Sequence, residues 1–300
     1  MKNNLEIYLQ NKKHNNLIFT SCDDKFTFCL YVSLRTLFEH SPILANNADI
    51  FIAGYKISKQ NKNVLENIKG VKVIDYNFPL DLPNTSAISK FTPASFARYD
   101  CFELIKYYEN ILYLDSDVLV QKELMPVFNT LKNGIGLIQD PTFGTVRGQF
   151  YEAIENFDMN RTGFNSGFIV LNNKGNWVKK SEDIITWLYQ KTVELAPKLF
   201  LPDQGIINLA LEKFQIKPTP LSDVYNCPAS RTRKELKNAY IIHSTGGRKF
   251  WCYYYFDEWY KFYSQWIKAG GTPCWKARRL DSKLYRNFCQ KTGLGNKVFF

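Results

Sequence analysis

The chain has 300 residues, 45% of them hydrophobic and 22% charged, with a net charge of +11. That length and apolar content build a large core, which excludes an intrinsically disordered chain, and no stretch reaches the ~20 uninterrupted apolar residues of a membrane-spanning helix. The opening MKNNLEIYLQNKKHNN lacks the apolar centre of a signal peptide, and the seven cysteines form no CxxC pair, so the expected location is a reducing cytosol rather than a disulfide-forming compartment.

Strands and helices alternate along the chain. NLIFTS (16–21) reads as a first strand. In DDKFTFCLYVSLRTLFEHSP, Phe26, Leu30, Leu34, Leu37 and Phe38 recur at helical spacing, predicting a helix that ends before Pro42. DIFIAGY (49–55) predicts a strand, SKQNKNVLENIKG a helix with Ser58 as N-cap and Gly70 at its close, and VKVIDY (71–76) a third strand. This alternation is the mark of a parallel sheet with right-handed crossovers. A helix over 92–108 leads into ILYLDSDVLV (111–120). GIGLIQD (134–140) and GFIVLN (167–172) follow as strands, then a long amphipathic helix over 176–195, a helix after Pro202, and AYIIHS (239–244) as a last strand. No internal repeat or low-complexity linker interrupts this order. Residues 1–250 therefore read as one α/β domain with a Rossmann-like, mostly parallel sheet, and 251–300 as a C-terminal extension.

ILYLDSDVLV sets two carboxylates, Asp115 and Asp117, inside a run that otherwise reads as buried strand. Open parallel sheets bind ligands beyond the carboxyl ends of their strands, which is where Asp115 falls if ILYL is central. At such a strand-to-loop transition, i and i+2 side chains can reach one divalent cation, whose charge removes the penalty of burying them. The competing reading is a solvated turn. The apolar VLV directly afterwards weighs against it, because it embeds the triplet between two strands.

YLDSDVLV, FNSGFIVLN (164–172), PDQGIINLAL (202–211) and HSTGGRKFW (243–251) together resemble glycosyltransferase family 8. These are retaining enzymes of GT-A fold that include bacterial lipopolysaccharide galactosyl- and glucosyltransferases and glycogenin. The resemblance runs from Asn16 to Trp251 with the motifs in the family's order. It implies transfer of a hexose, galactose or glucose, from a UDP-sugar to a glycan or lipid-linked acceptor.

Residue by residue, the resemblance implies a metal held by Asp115, Asp117 and His243, with Ser116 between the two aspartates. An imidazole in the ligand set favours Mn²⁺ over Mg²⁺, which prefers oxygen and water. In HSTGGRK, Gly246 allows close backbone approach, and Lys249 contacts the diphosphate, whose growing negative charge it stabilises as the leaving group departs. TSCDD places Ser21 and Asp23 or Asp24 by the uracil and ribose, one of the two aspartates serving as a plain helix cap. The family often has Asn-Tyr next; here Lys25 and Phe26 stand there, keeping a ring but losing a polar contact. Arg98 in SFARYD matches an arginine that approaches the donor, against the alternative of a surface ion pair. Sugar recognition falls to Asn165, Asp203 and Gln204, with Asp140 in QDP a weaker match; Asp203 is also a candidate N-cap after Pro202. Gln204 lies nearest the reacting face of the sugar, and its amide is a poor nucleophile, so the expected route is front-face attack with retention.

Residues 248–300 hold eleven basic residues against three acidic ones, so most of the net charge belongs to the last sixth of the chain. Phe256, Tyr260, Tyr263 and Ile267 read as the core-facing stripe of a packed helix. Residues 275–300, basic and rich in aromatics, suit an anionic membrane surface at the cytoplasmic face. A nucleic-acid-binding protein would explain the tail but leaves the acidic triplet and the His-Gly-Lys motif without a purpose, so no nucleic-acid partner is expected. A nucleotide-sugar-binding protein without transfer activity is the other alternative, and the presence of all three metal-ligand candidates argues against it.

Overall fold

The computed structural model describes residues 2–254, 256–274 and 277. In chain order its regular elements are α1 (Lys2–Gln10), β1 (Asn16–Asp23), α2 (Thr27–His40), α3 (Pro42–Asn46), β2 (Ala48–Tyr55), α4 (Lys59–Glu66), β3 (Val71–Asp75), α5 (Ser86–Lys90), α6 (Cys101–Leu104), β4 (Asn110–Leu114) and β5 (Val118–Val120). There follow β6 (Ile135–Gln139), β7 (Phe164–Asn172), α7 (Ser181–Leu195), α8 (Pro202–Lys213), β8 (Thr219–Leu221), β9 (Cys227–Pro228), α9 (Arg233–Asn238), β10 (Ile241–His243) and α10 (Asp257–Lys268).

The main sheet has seven strands in the order β3-β2-β1-β4-β7-β6-β8. β1 pairs parallel with both β2 and β4, and β7 runs antiparallel between β4 and β6. β1 and β4 are buried along almost their whole length because both of their faces are covered, as expected of central parallel strands. One buried cluster fills the face under α2, α10 and the segment 118–128; the other fills the opposite face under α7, α8 and residues 94–108. This is the α/β architecture that the alternating pattern predicts.

A second, three-stranded sheet, β5-β10-β9, stands beside the first. The chain passes from one sheet to the other between β4 and β5, so Asp115-Ser116-Asp117 is the link between them. Sequence alternation does not reveal this sheet, since its strands are two or three residues long and β5 pairs with β10 across more than a hundred positions.

Three elements differ from expectation. The helix expected over 92–108 is a 3₁₀ segment, Pro93–Asp100, followed by the single α-turn α6. Its backbone competes with side-chain bonding, for Arg98 Nε donates to Ser95 O at 2.8 Å, and the tighter winding buries six of its eight residues. β7 begins at Phe164 rather than 167, so the whole FNSG motif lies on a strand. α10 buries Trp259, Tyr260, Phe262, Tyr263 and Trp266, whereas Ile267, expected inside, is 38% exposed; the stripe is rotated because the Trp and Tyr rings pack on Phe28 and Tyr31 of α2. The helical start of the C-terminal extension is thus built onto the main core. His40 Nε2 to Glu258 Oε1 at 2.5 Å and Lys261 Nζ to Glu39 Oε1 at 2.8 Å clasp α2 and α10 at the surface. Among the described residues no helix is long and apolar enough to cross a membrane. The stretch 275–300, to which the membrane expectation refers, lies outside the described residues except for residue 277.

Candidate active site

The link between the two sheets gathers most of the expected residues. β10 pairs antiparallel with β5 so that His243 stands opposite Val118, and this register carries the imidazole to the adjacent Asp117. Ser244 N and Oγ both donate to Asp117 O, at 3.1 and 3.2 Å. From the other side Ser33 Oγ of α2 donates to Ser116 O at 2.7 Å. Ligand atoms of Asp115, Asp117 and His243 all lie within 4.8 Å of one another. Two carboxylates and an imidazole at that spacing form a donor set that suits a divalent transition metal.

Charge is balanced pairwise around this cluster. Lys249 Nζ donates to Asp117 Oδ2 at 2.5 Å and to Ser244 O at 2.8 Å, while His243 Nε2 lies 3.1 Å from Asp117 Oδ1. Burial pushes the Asp117 carboxyl up, but the charges of Lys249 and His243 outweigh it and hold Asp117 far below the usual carboxylate range. Burial likewise pulls the Lys249 ammonium down, and Asp117 more than restores it. Lys249 is therefore a cation at neutral pH.

Arg98 is not a surface ion pair. It is buried, with Nη2 donating to Asp115 Oδ1 at 2.9 Å and Nη1 within 3.0 Å of Asp203 Oδ2. The same Nη1 donates to Ser166 O and Oγ, both at 2.7 Å, and the guanidinium lies over the Tyr113 ring. Asp203 is not an N-cap, since Leu201 holds that position; its carboxylate turns instead to Arg98 and to Ser166 Oγ at 2.8 Å. Burial leaves the Asp203 carboxyl raised, opposed by Arg98 and Ser166.

A directed chain of amides connects the remaining polar residues. Asp140 can only accept, and its Oδ2 takes a bond from Gln204 Nε2 at 2.7 Å, which turns Gln204 Oε1 toward Asn165 Nδ2 at 2.9 Å. Asn165 Oδ1 then accepts from Gly167 N at 2.9 Å and from Asn226 Nδ2 at 2.7 Å. Asn226 Oδ1 is left facing His243 Nδ1 at 2.7 Å. With donor and acceptor roles set from the carboxylate onward, Nδ1 carries a proton and Nε2 points at Asp115 and Asp117. Hydrogen bonding to the other ring nitrogen is what orients a metal-binding histidine. Asn226 was not among the expected residues; VYNCPAS offers no motif, and only the β9–β10 pairing brings it there.

Gly167 completes the cluster by what it lacks. A Cβ there would lie 2.5 Å from Asp115 Oδ2 and 2.8 Å from His243 Cε1. Gly246 has φ +69, a left-handed conformation that lets the loop turn back so that Lys249 reaches Asp117.

At the end of β1, neither aspartate caps the helix that follows, for the N-cap of α2 is Phe26 and no side-chain cap bond is made there. Asp24 Oδ1 accepts from Ser58 N and Asn61 Nδ2, both at 2.8 Å, and so secures the start of α4. Asp23 makes no such link to α4. Its Oδ1 is buried without a hydrogen-bond partner, and burial raises its carboxyl. Ser21 Oγ meets Tyr113 OH at 3.1 Å, and that hydroxyl donates to Asp115 Oδ1 at 3.1 Å, tying the end of β1 to the acidic cluster.

Residues 17–254 match the family model described as Glycosyl transferase family 8. A Haemophilus influenzae protein described as a "Putative glycosyltransferase" is 26% identical over 261 residues, covering 79% of this chain and 72% of its own. Among solved structures, the bifunctional glycosyltransferase WbbM superposes with TM-score 0.60 at 18% identity; 92% of this chain is covered, which spans 52% of that one. An active-site mutant of LgtC superposes with TM-score 0.58 at 20% identity, covering 88% of this chain and 99% of its own. The galactosyltransferase LgtC solved with donor and acceptor sugar analogues gives 0.56 at 20% identity, covering 85% and 99%. At these identities the structural likeness is one of fold.

Proposed function

Because this chain belongs to glycosyltransferase family 8, we propose that it transfers a hexose, galactose or glucose, from a UDP-sugar to a glycan or lipid-linked saccharide with retention of configuration. The observation that carries the reading is the cluster of half-buried Asp115 with buried Asp117 and His243, Lys249 against it, at the carboxyl end of β4. These three residues would hold a divalent cation, Mn²⁺ in preference to Mg²⁺, which would supply Lewis-acid stabilisation of the diphosphate leaving group.

The chain's own residues then divide the work. Lys249, kept cationic by Asp117, is placed to transfer its hydrogen bond to the departing phosphate. Asp23, with its unpartnered oxygen, is the acceptor for the nucleoside, with Ser21 and the start of α2 beside it. Asn165, Asp203, Gln204 and Asp140 form the sugar side, preorganised because Asn165, Gln204 and Asp140 are hydrogen-bonded in a chain and Ser166 and Arg98 hold Asp203. Gln204 is bound at both ends of its amide, and the Oδ2 of Asp203 is occupied by Arg98 and Ser166, which supports front-face attack over a covalent intermediate on either. In that route the C1–O bond to phosphate breaks with its electron pair leaving on the diphosphate. The acceptor hydroxyl bonds to C1 from the same side, and its proton passes to a phosphate oxygen. Arg98 bridges Asp115 and Asp203, so it acts as a positioning residue between the metal and sugar sides.

Acceptor-free hydrolysis of a panel of UDP-sugars tests the reading, with and without Mn²⁺. Metal-dependent release of UDP from UDP-galactose or UDP-glucose is expected, and a metal-independent or absent rate overturns it. NMR of the transfer product should show an α-linkage from a UDP-α-hexose; a β-linkage sinks retention. Attachment to anionic membranes through residues 275–300 completes the proposal. Cosedimentation with phosphatidylserine vesicles should weaken on raising salt and on removing that stretch.

A further inference from the structure

We propose that Phe143, Tyr151 and Phe200 form a stacking platform for the acceptor, a saccharide presenting the apolar C–H face of a pyranose ring; this rests on the transferase reading above. Phe143 is 38% and Tyr151 56% exposed, and both rings stand edge-on to Phe200, with centroids 5.7 and 5.5 Å away. Large aromatic rings kept together in water need a reason, because a core position would remove their apolar area from solvent.

The backbone holds the platform in place. Phe200 N and Leu201 N both donate to Gln149 O at 3.1 Å, Tyr151 N donates to Lys198 O at 2.9 Å, and Phe150 bridges Leu199. Arg147 Nη1 adds a bond to Phe150 O at 2.8 Å. Phe143 packs so closely over Gly148 that a Cβ there would lie 2.5 Å from Phe143 Cβ. Rings mounted on a braced loop are presented at low entropic cost to a binding partner.

The occupant follows from what the platform adjoins. Asp140 Oδ1 accepts from Thr142 N at 2.8 Å and Phe143 N at 3.4 Å, while its Oδ2 accepts from Gln204. One carboxylate thus anchors both the turn that carries Phe143 and the amide chain on the sugar side of the site. Phe200 stands three residues before Asp203 at the entry to α8. A ring stacked there would adjoin the residues assigned to the donor sugar, which is where an attacking hydroxyl must arrive. Aromatic faces with polar groups at their edge are the chemistry of sugar recognition rather than of a purely apolar ligand.

The test measures transfer from the UDP-sugar that wild type hydrolyses to a panel of soluble oligosaccharides, using the best acceptor for variants. Tyr151→Ala and Phe143→Ala are expected to raise the acceptor KM about tenfold each, with the UDP-sugar KM within about twofold of wild type and Tyr151→Phe close to wild type. Equal shifts in both KM values, or none in the acceptor KM, overturn the platform. So does loss of phosphatidylcholine vesicle binding with the acceptor KM unmoved, which would make the rings a lipid contact. Donor hydrolysis without transfer to any saccharide also overturns it. Failure of donor hydrolysis in wild type instead strikes the transferase reading beneath it.

Discussion

Asp117 and Asp100 are equally buried, each 8% exposed, yet their carboxyls move in opposite directions. Burial raises both. At Asp117 the charges of Lys249 and His243 outweigh burial, and the carboxylate stays ionised. At Asp100 the neighbours are hydroxyls: Tyr189 donates to Oδ1 at 2.5 Å and Tyr8 to Oδ2 at 3.4 Å, while Glu103 adds a like charge. Among the described residues no basic side chain pairs with it, and its pKa is pushed up to about 7. The contrast shows that depth alone does not mark a working carboxylate. Asp117 faces the link between the sheets with positive partners that a ligand's charge can rearrange; Asp100 braces Tyr8 of α1 and Tyr189 of α7 in the core.

The largest expected effect breaks the comparison at the first residue. Asp117→Asn should lower metal-dependent UDP-sugar hydrolysis by ~10²-fold or more with the far-ultraviolet circular dichroism unchanged. A rate within a few-fold of wild type would return Asp117 to the class of Asp100. Asp100→Asn, conversely, should leave the Mn²⁺ dependence of hydrolysis as it is.

Two substitutions sharpen what surrounds Asp117. Gly167→Ala should weaken Mn²⁺ binding, read by electron paramagnetic resonance, by roughly 10- to 100-fold, since the new methyl collides with Asp115 and His243. Asn226→Ala should cost on the order of 10-fold in Mn²⁺ affinity and shift the His243 ring ¹⁵N resonances, because the acceptor that keeps the proton on Nδ1 is gone. Unchanged nitrogen shifts would show that Asn226 does not set the tautomer.

The smallest effect concerns stability at the second residue. The folded pKa of Asp100 lies above its ordinary value of 3.8, so the folded state binds the proton more tightly. Its contribution to stability is fully present below about pH 4 and is lost as pH rises toward about 7, with a slope of at most ~1.4 kcal/mol per pH unit. Asp100→Asn, which mimics the neutral acid, should flatten the fall in Tm across that window. An equal fall in the variant would assign the pH dependence to other groups.

Much of this could be read from the chain alone. The α/β alternation, β1 through β3, Ser58 as the cap of α4, and the string of motifs that marks family membership are all local patterns, a few residues long, whose periodicity or spacing survives without knowledge of partners. The metal-ligand candidates were legible for the same reason, since each sits in a short motif. Tertiary structure decided what those residues touch. Asn226 carries no local signal and acquires its place from β9 pairing with β10, β5 joins the second sheet through pairs more than a hundred positions apart, and Arg98 becomes a buried bridge because β4, β7 and α8 converge on it. That Asp24 braces Ser58 and Asn61, and so is not a cap of α2, was likewise a matter of where α4 begins in space. Hydrogen-bond partners distant in sequence are set by packing geometry, and a linear pattern does not encode it residue by residue.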